Sequence, residues 1–324
     1  METLLDLIRQ KNQCNDKIKI LSQYARLTLK DYSYAAYPLK AYKELVDEPS
    51  RELDQILLRI FEKQDCGQET AARFRPENVF VWGGPTPLWG GSMEPDASIR
   101  GAEYFGFDNV VYVYGAINEE AMELHRNCKR LICQVSATSR TKGAQNETDL
   151  ECAEKLSRLS LKYPNIQGGI VDDLISAFGH RYSLADVRAL RNALKKHNPA
   201  LELSVVIYAR ELDNPNLMAI AGEIDVVNLW LANKAELAEF DLNLEKSRAR
   251  FPGKKIMLGI FMQDIGLTDL GYDPEVMKKY LDKARTAYSR GKIQDVVILG
   301  DREIAKFPEL AQTIRDYFQA EFKG

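Results

Sequence analysis

Two rhythms of apolar residues divide the chain. Over residues 2–30, Leu4, Leu5, Ile8, Ile18, Leu21 and Leu27 follow helical spacing, with a break expected near Asn12 and Asn15. A second stripe of Leu53, Ile56, Leu57, Ile60 and Phe61 predicts a helix over 50–63. Ser50 is placed to cap its start and Cys66-Gly67 to stop it. No strand is expected in residues 1–74, which read as a helical N-terminal extension. Its apolar stripes need cover, against the exterior of the following domain or in a homodimer contact.

From Asn78 the rhythm changes to short runs of β-branched and aromatic residues separated by amphipathic stretches. The runs are Val79–Trp82, Val110–Tyr114, Leu131–Val135, Gly169–Asp173, Leu203–Tyr208, Val226–Trp230, Ile256–Phe261 and Val296–Leu299. They are apolar throughout rather than alternating, as parallel strands covered on both faces are. Helical stretches such as 147–162, 183–197 and 274–290 lie between them, and Pro308 opens the last one as a first-turn proline. Strands and helices alternating in this number predict an α/β fold, a (β/α)₈ TIM barrel over residues 75–324. An open doubly wound sheet would carry a Gly-rich phosphate loop after its first strand. Here that turn reads Trp82-Gly-Gly-Pro-Thr-Pro-Leu-Trp89, with two prolines and no G-x-G-x-x-G.

Composition narrows the partners. With 45% hydrophobic and 28% charged residues the chain is globular in type. A formal net charge of -3 and the lack of a long basic run argue against nucleic acid. No stretch approaches the roughly 20 apolar residues that span a bilayer. Glu2, Asp6 and Arg9 interrupt the start, unlike a signal peptide, so no membrane partner is expected and the expected location is cytoplasmic. Cys14, Cys66, Cys128, Cys133 and Cys152 form no C-x-x-C pair and read as free thiols. Of His125, His180 and His197, only His180 falls on the expected active rim, so a zinc site is not expected. No cofactor is expected, although Mg²⁺ on Asp172 or Asp173 stays open, since that ion needs only one or two carboxylates.

A barrel of this kind places its chemistry at the carboxyl ends of its strands. Those ends offer Trp82, then Tyr112 and Tyr114, Gln134 and Ser136, and Asp172 and Asp173 followed by His180 and Arg181. Further round come Tyr208, Arg210 and Glu211, Trp230, Asn233 and Lys234, Gln263 and Asp264, and Asp301, Arg302 and Glu303. The opposite ends carry Asn109, Lys129, Lys254 and Lys255, ordinary solvated turn residues. Helix N-caps also favour Asp and Asn, so part of the acidic rim has a structural reading.

The sharpest local feature is Gly168-Gly-Ile-Val-Asp-Asp-Leu174. Neighbours on a strand point to opposite faces, so one aspartate aims into the mouth while the other supports it. Asp173 is favoured as the chemical group and Asp172 as the support. Glycoside cleavage needs two carboxyls, one donating a proton and one attacking or activating water. Asp264, across the barrel, and Glu211, after the next strand, are the candidate partners of Asp173. Arg210 or Arg302 is placed to hold the ionised member. Trp82, Trp89 and Trp230, with Tyr208, supply flat amphipathic rings for a sugar face. Arg210, Asn233 and Asp301 complete the expected substrate contacts.

The strand-terminal Asp-Asp after Ile-Val, the tryptophans ending strands 1 and 6 and the acids after strands 7 and 8 resemble those of bacterial glycoside-hydrolase-like (β/α)₈ proteins, over residues 78–324. The resemblance implies a carbohydrate-active hydrolase acting on a small-molecule or oligosaccharide substrate. The chain departs from it in having Asp after strands 4 and 7, where large retaining families have Glu. Two other functions fit the same rim. One is a non-catalytic carbohydrate-binding barrel, which keeps the rings and needs no acid pair. The other is a barrel lyase or aldolase, for which Lys234 is the available amine, although its position reads as a solvated loop.

Overall fold

In the computed structural model the strands close on themselves in chain order, each parallel to the next. They are β1 Val79–Gly83, β2 Asn109–Tyr112, β3 Arg130–Gln134, β4 Ile166–Val171, β5 Glu202–Tyr208, β6 Val226–Trp230, β7 Lys255–Ile260 and β8 Asp295–Leu299. β1 pairs with β2 on one side and with β8 on the other, Val81 facing Ile298 in register, and this closes the (β/α)₈ barrel. The residues described are 2–28, 40–64, 72–86, 92–136, 147–177, 182–266 and 268–323.

The helices are α1 Leu4–Thr28, α2 Lys40–Gln64, α3 Ala97–Phe105, α4 Glu119–Leu124, α5 Asp149–Lys162, α6 Leu174–Ala177 and α7 Leu184–Leu194. They continue with α8 Asn216–Ile220, α9 Lys234–Ala238, α10 Phe240–Arg250, α11 Pro274–Ser289, α12 Glu303–Lys306 and α13 Pro308–Lys323. Local chemistry sets their starts. Thr148 and Glu151 form a reciprocal capping box on α5, and Ser183 and Asp186 do the same on α7. Asp273 caps α11 ahead of Pro274, whose missing N–H is one that a helix start leaves unused anyway. Among the described residues no helix is long and apolar enough to cross a membrane.

The amino end of the barrel is sealed from within. Arg130 of β3 reaches across to Asp295 of β8 at 2.7 Å and lies 4.7 Å from the centre of the Phe80 ring. Asn109 Nδ2 donates to the carbonyls of Pro76 and Val79, both at 2.8 Å.

The extension departs from expectation in two details. α1 runs unbroken through Asn12 and Asn15, and Asn15 is buried. α2 begins ten residues before Ser50, at Lys40, and passes through Pro49, so Ser50 is no N-cap. Proline leaves a helix interior short of a donor. Beside it, two main-chain oxygens take tertiary donors and tie the helix to its surroundings: Pro49 O accepts from the Cys14 thiol at 3.0 Å and Ser50 O from Lys234 Nζ at 3.1 Å. Cys66-Gly67 lies outside the described residues. α1 and α2 pack on each other and on α9 and α11, outside the barrel. Leu7, Ile18, Leu53, Ile56 and Phe61 are buried in one apolar core with the barrel strands.

Candidate active site

β4 ends at Val171, two residues earlier than expected, so Asp172 and Asp173 both lie just past the strand. The strand rule of alternating faces therefore does not govern them. Asp173 turns the chain with φ 52°, in the left-handed region that Asp tolerates better than most residues. Asp172 is the buried member, and its main-chain N–H donates to Ser136 Oγ at 3.2 Å. Burial, then the neighbouring charge of Asp173, push the Asp172 carboxyl up to about 7, against the pull of Arg302. The Tyr208 hydroxyl, at the end of β5, hydrogen-bonds Asp173.

Opposite lies a second group from the start of α12. Glu303 is buried and Arg302 mostly so, and Arg302 Nε donates to Glu303 Oε1 at 2.5 Å. Burial pushes Glu303 up to about 7, with Arg302 opposing it, and Glu303 Oε2 has no hydrogen-bond partner among the described residues. Tyr114 joins the two groups. Its buried hydroxyl feels the charges of Arg302, Asp172 and Glu303, and burial raises its pKa. Its main chain has φ 67°, and its N–H donates to Gln134 Oε1 at 2.8 Å.

Under these groups sits an aromatic floor. The rings of Trp82 and Trp230, from β1 and β6, meet edge to face with centroids 5.5 Å apart. Trp82 Nε1 donates to the Tyr114 hydroxyl at 3.2 Å and Trp230 Nε1 to Asn228 Oδ1 at 2.7 Å. Phe261 packs on Trp230 at a tilt of 43°, with centroids 4.5 Å apart. A Cβ on Gly259 would come within 2.0 Å of the Trp230 indole, so β7 needs glycine there for the ring to lie against it. At 3% and 2% exposure the two indoles are chiefly a packed floor, with little ring face open to a ligand.

The other expected residues are placed differently. Asp264 is fully buried: its Oδ1 accepts from the Lys234 N–H at 2.8 Å and its Oδ2 from the Thr268 hydroxyl at 2.8 Å. It organises the loop after β7, and its charged neighbours are Lys234 and Asp269, not the Asp172 group. Glu211 Oε2 accepts from the Tyr208 N–H at 2.9 Å, holding the turn after β5, and burial, with the nearby charge of Asp173, raises its pKa, so it does lie near Asp173 as expected. Asn233 caps α9 through the Glu236 N–H. The Asp301 carboxylate accepts from the N–H of Gly84 at 2.9 Å and of Arg302 at 2.8 Å, so it ties the ends of β1 and β8. Arg210 lies over the Tyr208 ring at 4.2 Å and reaches Glu236 at 3.6 Å on the outer side. Trp89, His180 and Arg181 lie outside the described residues.

Lys234 is a correction. It is fully buried rather than solvated, and Nζ is bound by Asp54 Oδ2 and Ser50 Oγ, both at 2.7 Å, from α2. Its amine faces the extension and is not available to a carbonyl in the mouth. Glu303 and Tyr114 fall on the expected rim, but the sequence assigns neither of them a role. Their signal was weak, because only barrel closure brings the ends of β2, β4 and β8 together. Among the described residues no three His, Cys, Asp or Glu side chains converge as a metal site would need.

No protein-family model matches the chain, and no curated protein matches it. Solved structures of similar shape include a β-glucuronidase of Bacteroides uniformis, 13% identical with a TM-score of 0.47, covering 70% of this chain and 30% of that one. Another is the catalytic domain of a hyperthermophilic chitinase from Pyrococcus furiosus, 14% identical with a TM-score of 0.48, covering 71% of this chain and 86% of that one. The chain thus spans well under half of the glucuronidase. The barrel itself is established by the strand register above and borrows nothing from these likenesses.

Proposed function

We propose that the chain is a carbohydrate-active barrel that hydrolyses a glycosidic bond, with Asp172 as proton donor and Asp173 as its carboxylate partner. One observation carries the reading: a buried carboxyl with its pKa pushed up to about 7, beside a second aspartate, at a strand end in the barrel mouth. A carboxyl whose proton is held by burial beside another carboxylate is poised to act as a general acid. Asp172 protonates the departing oxygen. Asp173, oriented by the Tyr208 hydroxyl, attacks the anomeric carbon or activates water, the choice depending on carboxyl separation. Glu303 and Arg302, with Tyr114, supply a polar wall for sugar hydroxyls.

A non-catalytic carbohydrate-binding barrel is the second reading. It is favoured by the state of Asp264 and Glu211, whose carboxylates are engaged in holding loops.

The test is a panel of aryl glycosides and neutral oligosaccharides, with wild type, Asp172→Asn, Asp173→Asn and Asp264→Asn. Each of the first two changes should cut turnover by about 10²–10⁴-fold, the scale of lost acid–base catalysis. Asp264→Asn should keep turnover within about tenfold while losing about 1–3 kcal/mol of stability through its loop bonds. Turnover that survives Asp172→Asn and Asp173→Asn but collapses in a stable Asp264→Asn protein would overturn the assignment. Saccharide binding by wild type without any turnover would select the second reading.

A further inference from the structure

Away from the mouth, the structure holds a cleft of about 440 Å³ where α1 crosses the turn after β5 and helices α9 and α10. Its wall is built from paired charges. Lys11 Nζ is bound to Glu239 at 2.7 Å, Lys246 to Asp213 at 3.0 Å and Arg210 to Glu236 at 3.6 Å. Each cation has its anion beside it, so these pairs present no net charge to draw in an ion. An apolar ligand finds only the methyl groups of Ala209 and Ala235. What the wall repeats is a strong donor next to a strong acceptor.

A hydroxyl group donates one hydrogen bond and accepts two, and bonds to charged groups are the stronger kind. Neighbouring hydroxyls on a ring can therefore accept from an ammonium or guanidinium and donate to the carboxylate beside it. Asn15 adds an independent observation. It lines the cleft, is 5% exposed, and its Oδ1 has no hydrogen-bond partner among the described residues. A buried amide oxygen left unmatched is costly, so a turn of this side chain that brings it to a ligand donor in the cleft would be offset by the bond it gains.

We infer that this cleft binds a neutral polyhydroxylated ligand, a mono- or oligosaccharide, at a site separate from the barrel mouth. The inference rests on the lining alone and stands whether or not the mouth is catalytic. Arg210 borders both regions, since its guanidinium lies 4.2 Å over the Tyr208 ring on the mouth side.

The experiment is saturation-transfer NMR with calorimetry on the full chain. The probes are maltose, cellobiose and chitobiose, with glucuronate and glucosamine as charged controls. Lys246→Ala and Asn15→Leu test the cleft, and Asp173→Asn tests the mouth. A neutral disaccharide should bind wild type, weaken by about tenfold in each cleft variant, the scale of one charge-assisted hydrogen bond, and keep its affinity within about twofold in Asp173→Asn, as distant sites do. Should Asn15→Leu fail to fold, the partly exposed Lys246→Ala decides alone. Binding only of the charged sugars, no binding of any neutral probe, affinity untouched by the cleft variants, or affinity lost in Asp173→Asn would each overturn the inference. Loss of turnover in the mouth variants with cleft binding intact would separate this site from the hydrolase reading.

Discussion

Replacing Asp172 with asparagine should make the protein more stable at neutral pH while removing its proposed activity. The magnitude follows from the carboxyl's surroundings. Burial and Asp173 lift its folded pKa to about 7, whereas an unfolded chain returns it to about 3.9. Between those values the folded state holds a proton that the unfolded state has released. Stability from this group is therefore fully present below about pH 4, falls by about 1.4 kcal/mol per pH unit as pH rises, and levels off above about pH 7. Over roughly three units the loss is about 4 kcal/mol. Asparagine cannot titrate and skips this loss. Wild type and Asp172→Asn should unfold at similar urea concentrations near pH 4.5. By pH 8 the variant should lead by several kcal/mol, at about 2 °C of melting temperature per kcal/mol for a chain of this size. Glu303, also raised to about 7, bends both curves in the same direction, so the difference between them is governed by Asp172. The measurement is urea unfolding by fluorescence at half-unit pH steps. A difference between the two proteins that is the same at pH 4.5 and pH 8 would refute a carboxyl held protonated by burial.

Two further outcomes test the frame around the site. Lys234→Met leaves Asp54 buried without its cation and should cost about 3–5 kcal/mol, while adding Asp54→Leu should recover most of it. Denaturant unfolding of the single and double variants checks this, and a mild single loss would mean water reaches the pair. Gly259→Ala pushes a methyl into the Trp230 indole and should cost about 1–3 kcal/mol by overpacking, with a shift in tryptophan emission. Unchanged emission would show that the ring does not rest on β7.

The barrel was legible because each strand is an unbroken apolar run bounded by polar turns. All eight observed strands fall on the expected runs, and β6, Val226–Trp230, matches to the residue. The site was legible in outline only. Trp82 and Trp230 do face each other, because both end strands whose inward faces alternate, yet no pattern announced that packing would cover their faces. The choice between Asp172 and Asp173 rested on strand alternation, which stops at Val171. Backbone turning at Asp173 then left Asp172 buried. Lys234 shows the same limit over a longer range: its partner Asp54 lies 180 residues away in the chain. A lysine at a helix start reads as solvated until the extension is seen covering it.

The pairing of β1 with β8 also has a consequence in time. A ribosome delivers the first strand about two hundred residues before the last, and domains begin to fold while synthesis continues. Until Asp295–Leu299 emerges, the hydrogen-bonding edge of β1 has no partner on that side, and the edge of β7 waits with it. Two open edges on one nascent sheet invite pairing with another chain. The bonds from Arg130 and Asn78 to Asp295 at one end, and from Gly84 to Asp301 at the other, fasten that seam only when the final strand arrives. A chain cut short before Asp295 should therefore gather into edge-to-edge assemblies rather than persist as a seven-stranded monomer.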